Sequence, residues 1–226
     1  MIGTDTEIGK TITCAVLLAR YATCKRLGYW KPIATGSAQG RDTLVVKGFC
    51  GHMVDILEEC YLFKPPVSPH LAARQTGQKI NPKKVIADLR AHHRADSQRS
   101  LVVEGIGGLL VPLTEEGYLL ADLIREMDLA CLLVTSSRLG TINHTLLTLE
   151  ALGSRDLKLA GVVLNGPPSR ENRRAIEKFG KAEIVGEIEP MDPLSRESIL
   201  LASRRMDSKG VLDPHFGLGV CPPKNP

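Results

Sequence analysis

Apolar positions fall along this chain in two rhythms. Near the start, Ile12-Thr-Cys-Ala-Val-Leu-Leu-Ala19 is an almost unbroken apolar run, and Gly28 stands where a helix would stop. The pattern predicts a helix from about Gly9 to Leu27 closed by that glycine. Tyr29–Ala34 reads as a short strand interrupted by Pro32, and residues 42–60 as loosely helical. The stretch Phe63-Lys-Pro-Pro-Val-Ser-Pro-His70 excludes helix at several positions. A short helix is expected over 71–76, stopped by Gly77, and Asn81-Pro82 supplies a cap and a first-turn proline for a helix to about His93. Beyond residue 100 the rhythm becomes regular. Strands are expected at 100–103, 130–135, 159–164 and 184–188, alternating with helices at 141–152, 169–179 and 195–205. Such alternation implies right-handed crossovers and an α/β fold of three layers, a mostly parallel sheet flanked by helices.

Composition sharpens this picture. The 226 residues are 43% hydrophobic but only 4% aromatic, so the core must be built from Val, Ile, Leu and Ala, as suits parallel strands covered on both faces. The length fits one domain, expected over 1–216, with a flexible tail at 217–226 that holds three prolines. The net charge is +4, and acids and bases are interspersed, as at Lys83, Lys84, Asp88, Arg90, Arg94 and Asp96. That reads as a solvated helix face and argues against a nucleic-acid partner. No apolar run is long enough to span a membrane, and Asp5, Glu7 and Arg20 around the 12–19 run argue against a signal peptide. The six cysteines stand singly, with no metal-ligand spacing, so free thiols in a reducing cytoplasm are expected.

The strongest chemical signal is Gly3-Thr-Asp-Thr-Glu-Ile-Gly9-Lys10-Thr11 at the mouth of the first helix. It is a phosphate loop with one residue more than the common spacing between its glycines. Successive amides and a helix amino end favour phosphate, Lys10 can reach the β- and γ-phosphates, and the Thr11 hydroxyl can ligate Mg²⁺. Only Met1 and Ile2 precede Gly3, so the first strand is expected to be missing or truncated, at a cost in stability. A second signal is Leu101-Val-Val-Glu104-Gly105-Ile-Gly107-Gly108, an apolar strand ending in an acid beside glycines. Such an acid at the sheet's carboxyl edge suits a metal held beside phosphates. Lys31 lies within a strand, where a lysine alone reads as a solvent-facing residue.

In order along the chain, Gly-Thr-Asp-Thr-Glu-Ile-Gly-Lys-Thr, Lys31-Pro-Ile-Ala-Thr35-Gly, Ser68-Pro-His-Leu-Ala-Ala, Val103-Glu-Gly-Ile-Gly-Gly-Leu-Leu-Val-Pro-Leu and Leu139-Gly-Thr-Ile-Asn-His resemble the motifs of dethiobiotin synthetases, from residue 3 to about 205. The phosphate loop alone is shared with cobyrinate amidases; the combination is specific. The resemblance implies a cytoplasmic homodimeric ligase that uses Mg²⁺ and ATP to carboxylate 7,8-diaminononanoate with CO₂ and close the cyclic urea through a carbamate and its phosphoric anhydride. It implies Lys10 and Lys31 as the catalytic cations and Thr11, Asp42 and Glu104 as magnesium ligands. Glu7, Ile8, Gly9, Lys10, Thr11, Asp42, Glu104, Gly105, Gly107, Asn165, Gly166 and Pro190 would contact ATP, with Asn165 reading adenine. Thr6, Thr35, Gly140, Thr141 and Asn143 would contact the diamine and its carboxylate. Without the resemblance, Thr141 or Ser137 reads as an ordinary helix cap, and Asn165-Gly-Pro-Pro as a turn. A cobyrinate-type amidase would need a glutaminase portion that this length does not supply. A partitioning-type ATPase would place a lysine early in the phosphate loop, where Thr4, Asp5, Thr6 and Glu7 stand.

Overall fold

The computed structural model describes residues 1–219 and 221. Strands β1 (Ile2–Gly3), β2 (Leu27–Trp30), β3 (Ile33–Ala34), β4 (Asp55–Leu57), β5 (Tyr61–Leu62), β6 (Ser100–Val103), β7 (Cys131–Ser136), β8 (Leu159–Asn165) and β9 (Ile184–Ile188) alternate with helices. The helices are α1 (Lys10–Tyr21), α2 (Asp42–Cys50), α3 (Pro69–Gln75), α4 (Pro82–Ala95), α5 (Leu120–Glu126), α6 (Thr141–Gly153), α7 (Arg170–Gly180) and α8 (Arg196–Arg205), followed by a 3-10 turn at Asp213–Phe216. Pairing gives one ladder ordered β4-β2-β6, a second ordered β1-β7-β8-β9, and a small β3-β5 pair, all parallel.

The strand expected to be missing or truncated is present as two residues. Ile2 and Gly3 pair with Leu133 and Val134 of β7. On the other side the Met1 ammonium donates to Val103 O at 2.8 Å, and Gly105 N donates to Met1 O at 2.9 Å. The stub therefore sits between β6 and β7 and joins the two ladders.

Alternation along the strands divides the core between the sheet's two faces. Leu133, Val162 and Ile184 enter one cluster with Trp30 and Leu123; Leu132, Val163 and Val185 enter the other with Val16, Leu18 and Tyr29. With both faces covered by apolar groups, these strands read as continuous hydrophobic runs.

Several boundaries differ from expectation. Helix α1 ends at Tyr21, not near Leu27. Tyr21 is fully buried and its hydroxyl donates to Asp207 and Asp213 at 2.5 and 2.8 Å, which fixes the helix end against the C-terminal segment. Gly28 lies inside β2 instead of closing a helix; a Cβ there would come within 2.7 Å of Leu101 Cδ2, so glycine allows close strand contact. The expected 29–34 strand breaks at Lys31-Pro32 into members of two different ladders, and 42–60 divides into α2 and β4. Asn81 does cap α4, accepting from Lys83 N at 3.0 Å. Neither Thr141 nor Ser137 caps α6: the cap is Gly140, at φ 93°, with no side-chain bond.

The expectation of six free thiols is corrected by a disulfide between Cys24 and Cys221, 197 residues apart. Cys14, Cys50, Cys60 and Cys131 are free. The expected tail is anchored where described: Leu218 N donates to Asp213 O, Cys221 N to Asp213 Oδ2, and Arg20 to Cys221 O. Its remaining residues, 220 and 222–226, lie outside the described residues. Among the described residues no helix is long and apolar enough to cross a membrane.

Candidate active site

The segment from Gly3 to Gly9 leaves β1 at the sheet's carboxyl edge and enters α1. Gly9 has φ 87°, and a Cβ there would lie 2.0 Å from Asn165 Nδ2, so both backbone and space demand glycine. Asn165, the last residue of β8, donates Nδ2 to Ile8 O at 2.8 Å and holds the loop from beneath. Thr4 N donates to Val134 O at 3.0 Å and ties its other end to β7. No side chain caps α1, so its first-turn amides and the positive end of its dipole are open to an anion.

Beside the loop, four elements bring five side chains together. In the parallel register Trp30 faces Val103, which sets Lys31 next to Glu104 at the ends of β2 and β6. Lys31 Nζ donates to Glu104 Oε1 at 2.7 Å and to Asp42 Oδ2 at 2.5 Å. Thr11, in the first turn of α1, donates to Asp42 Oδ1 at 2.8 Å and Glu104 Oε1 at 2.9 Å. Tyr29 completes the set, its hydroxyl donating to Glu104 Oε2 at 2.8 Å. The Glu104 side chain is wholly buried and that of Lys31 is 7% exposed, so Lys31 is not a solvent-facing strand residue.

Burial alone would push the Lys31 ammonium down, but Glu104 and Asp42 outweigh it and hold Lys31 above the ordinary lysine range. Burial likewise favours a neutral Asp42, and the Lys31 charge beside it overcomes this to keep Asp42 low. Lys10 is the contrast. Burial lowers it, Lys31 adds repulsion, Glu104 offsets only part of this, and its one bond is to the Asp5 carbonyl at 2.7 Å. Lys10 is thus a buried cation lacking a direct carboxylate partner, a group that an incoming phosphate would satisfy. Burial, and then Glu104, drives Tyr29 far up, so its hydroxyl stays a donor.

Thr11, Asp42 and Glu104 offer a hydroxyl and two carboxylates, the hard oxygen set that suits Mg²⁺ when phosphates and water complete its shell. No cluster of three or more His, Cys, Asp or Glu side chains is found among the described residues.

The other expected residues do not join this set of hydrogen bonds. Gly105 and Gly107 follow Glu104; Gly107 has φ 61°, and a Cβ on it would reach within 3.8 Å of the exposed Thr6. Gly166, at φ 134°, donates its amide to Ile188 O, and a Cβ there would lie 2.4 Å from Ser137 Oγ. Glu7 is exposed with φ 54°. Thr35 is half-buried after β3, while Asn143 and Pro190 are exposed and outside the five-residue cluster. A hydroxyl chain runs from Thr4 to Thr135 at 3.4 Å and on to Thr141 at 2.9 Å, linking the loop to the start of α6. Sequence reasoning singled out neither Thr135 nor Tyr29. A groove of about 330 Å³ lies beside the loop, lined by Thr4, Asp5, Gly108, Leu110, Val111 and Leu147.

A glycine-rich loop pinned to a parallel sheet and opening a helix, next to a lysine–carboxylate cluster, defines a P-loop ATPase. Solved structures agree in fold: the MinC:MinD cell division complex of Aquifex aeolicus has a TM-score of 0.56 at 15% identity, over 90% of this chain and 92% of that one. A ParA family ATPase from Chlorobium tepidum has a TM-score of 0.51 at 15% identity, over 94% and 88%. A family model described as an AAA domain matches residues 1–198. The chain is 40% identical to the ATP-dependent dethiobiotin synthetase BioD of Lawsonia intracellularis, over 88% of this chain and 91% of that protein. Its identity to the BioD of Paramagnetospirillum magneticum is 39%, over 87% and 90%. The chain belongs to the dethiobiotin synthetase family.

Proposed function

We propose that this protein is a cytoplasmic ligase that carboxylates 7,8-diaminononanoate with CO₂ and closes the product to dethiobiotin, converting ATP to ADP and phosphate. The observation that carries the reading is the convergence of Lys31, Asp42, Glu104 and Thr11 beside a phosphate loop whose own lysine has no carboxylate partner. In this reading one amine of the substrate takes up CO₂ to give a carbamate. The carbamate oxygen accepts the γ-phosphoryl group, and the second amine attacks the activated carbon and expels phosphate.

The protein's part is positioning and charge stabilisation. Lys10 and the α1 amides hold the phosphates, and Lys31 supplies positive charge between carbamate and phosphoryl oxygens. Thr11, Asp42 and Glu104 would hold Mg²⁺, which neutralises charge on the nucleotide when bound. Glu7, Ile8, Gly9, Gly105, Gly107, Asn165, Gly166 and Pro190 line the path of the nucleotide. With one donor of its amide already on Ile8 O, Asn165 joins the loop's position to recognition of adenine. Thr6 and Thr35 face the diamine, and Gly140, Thr141 and Asn143 at the start of α6 receive its carboxylate by the same dipole logic that serves phosphate. Leu110 and Leu147 expose apolar surface in the groove beside that helix, and Leu139 is exposed just before the helix begins, which suits a homodimer contact near the substrate.

The test is ADP and phosphate release measured with and without the diamine and bicarbonate. The reading expects release to require both and to match dethiobiotin formation one for one. ATP hydrolysis indifferent to both would instead fit a nucleotide switch.

A further inference from the structure

The two oxygens of the buried Glu104 carboxylate are held by different groups. Oε1 accepts from Lys31 at 2.7 Å and from Thr11 at 2.9 Å, the two residues that also bond to Asp42. Oε2 accepts from the Tyr29 hydroxyl at 2.8 Å. Tyr29 stands on β2 opposite Val102 of β6. Its side chain is wholly buried and belongs to the apolar cluster on the α1 face of the sheet, with Cys14, Leu18 and Val102. The Cys14 thiol, equally buried, also faces the Glu104 carboxylate. Oε2 therefore looks into packed core and Oε1 towards the phosphate loop.

That division matters for a cation. A carboxylate can bind a metal ion through one oxygen or through both. Binding through both needs the second oxygen free and the carboxylate able to turn. Neither condition holds here. Tyr29 donates to Oε2 from a ring that packing fixes, and Lys31 and Thr11 hold Oε1 from the other side. Turning the carboxylate would leave a buried donor or acceptor unpaired, which is costly. Ca²⁺ and Mg²⁺ respond differently to such a ligand. Ca²⁺ gathers about six to eight oxygens in a flexible shell and often takes both oxygens of one carboxylate. Mg²⁺ demands a near-octahedral shell, keeps several waters and is served by single carboxylate oxygens.

We propose that Tyr29 sets the choice of divalent cation: by holding Glu104 Oε2 it leaves Glu104 one oxygen to offer, which favours Mg²⁺ over Ca²⁺ at the nucleotide. The proposal rests on the reading of Glu104 as a ligand of the nucleotide-bound cation. Tyr29 bonds to Glu104 from within the core and acts through that carboxylate, so it is a positioning residue. Replacing it by phenylalanine keeps the ring that fills the core and removes only the donor. Oε2 is then free to join the metal shell, which helps Ca²⁺ and brings no gain to Mg²⁺.

The test measures ATP affinity of the full chain by calorimetry with Mg²⁺, with Ca²⁺ and under chelation, for the parent, Tyr29→Phe and Glu104→Gln. Tyr29→Phe is expected to lower the ratio of Mg·ATP to Ca·ATP affinity by about fivefold or more, with affinity under chelation unchanged. A ratio equal to the parent's, or equal losses with both cations, overturns the proposal, because a merely structural tyrosine would move both alike. Glu104→Gln separates the two possible failures. If it abolishes the metal dependence while Tyr29→Phe leaves the ratio alone, the role of Tyr29 fails and the ligand reading stands. If it keeps the parent's metal dependence, the ligand reading itself fails and the proposal with it. Should Tyr29→Phe not fold, the infrared carboxylate bands of the unaltered chain with Mg·ATP decide, identified by their loss in Glu104→Gln. The wide splitting of a carboxylate bound through one oxygen supports the proposal, and the narrow splitting of one bound through both overturns it.

Discussion

The two ends of the central strands are held by different physics. At the carboxyl end, Glu104 is wholly buried yet receives donors from Thr11, Tyr29 and Lys31, and Asp42 shares two of them. At the amino end, the same β6 and the neighbouring β7 border an apolar cavity, and rings and a covalent link add to the buried bonds of Tyr21 to Asp207 and Asp213. There Tyr21 stacks on Phe216 at 4.3 Å, and Cys24 is bonded to Cys221. The contrast teaches that polar bonds from neighbouring strands hold the phosphate loop, while rings and a disulfide add to the hold at the opposite end. Asn165 from β8, Val134 from β7 and the ion cluster position it from the side.

Breaking the polar end should cost most. Glu104→Ala leaves the Lys31 ammonium buried with Asp42 as its one carboxylate partner; unfolding stability is expected to fall by about 3–5 kcal/mol, read as a lower urea midpoint. An unchanged midpoint would mean the cluster is solvated and energetically slack. Reducing the Cys24–Cys221 disulfide tests the apolar end. The long loop that it closes predicts a loss of about 2–4 kcal/mol, seen as a lower Tm in dithiothreitol. ATP turnover at room temperature should survive, because the cluster lies at the other edge. Tyr29→Phe removes one donor from a buried carboxylate, at about 1–3 kcal/mol, and should weaken magnesium-dependent nucleotide binding with little change in binding measured under chelation.

The smallest effect is on pH dependence. Asp42 is held below its ordinary value, so its contribution is complete above the unfolded value of about 3.9 and fades as pH falls through the lower folded value. Urea midpoints of Asp42→Asn should therefore decline less steeply than the parent's below about pH 4. Lys31 has the opposite sign. It sits above its ordinary value, and its contribution is complete below about pH 10.4 and fades as pH rises through the higher folded value.

Where chemistry is local in sequence, it was legible. Gly9-Lys10-Thr11 and the strand ending at Glu104 announce themselves because turn, amides and hydroxyl lie within a few residues of one another. Asp42 gains its place from α2 packing beside α1, which no spacing along the chain reveals. Tyr29 was hidden for another reason: a tyrosine in an apolar strand looks like core, and only the fold shows its hydroxyl on Glu104. The regular strands beyond residue 100 were legible from their runs of Val, Ile and Leu. The end of α1 was not, because Ala22–Leu27 carries no strong breaker, and the stop is set by buried Asp207 and Asp213 far along the chain. The disulfide joins cysteines 197 residues apart and leaves no trace in local pattern.

The central claim is that Lys31 acts on the migrating phosphoryl group and does not merely hold the nucleotide. Single-turnover kinetics of Lys31→Met with diamine, bicarbonate and Mg·ATP, alongside ATP affinity measured by calorimetry, tests it most directly. The account predicts a loss of about a thousandfold in the phosphoryl-transfer rate, with ATP affinity changed only a few-fold. A rate within tenfold of the parent, or a rate loss matched by an equal loss of affinity, would contradict it.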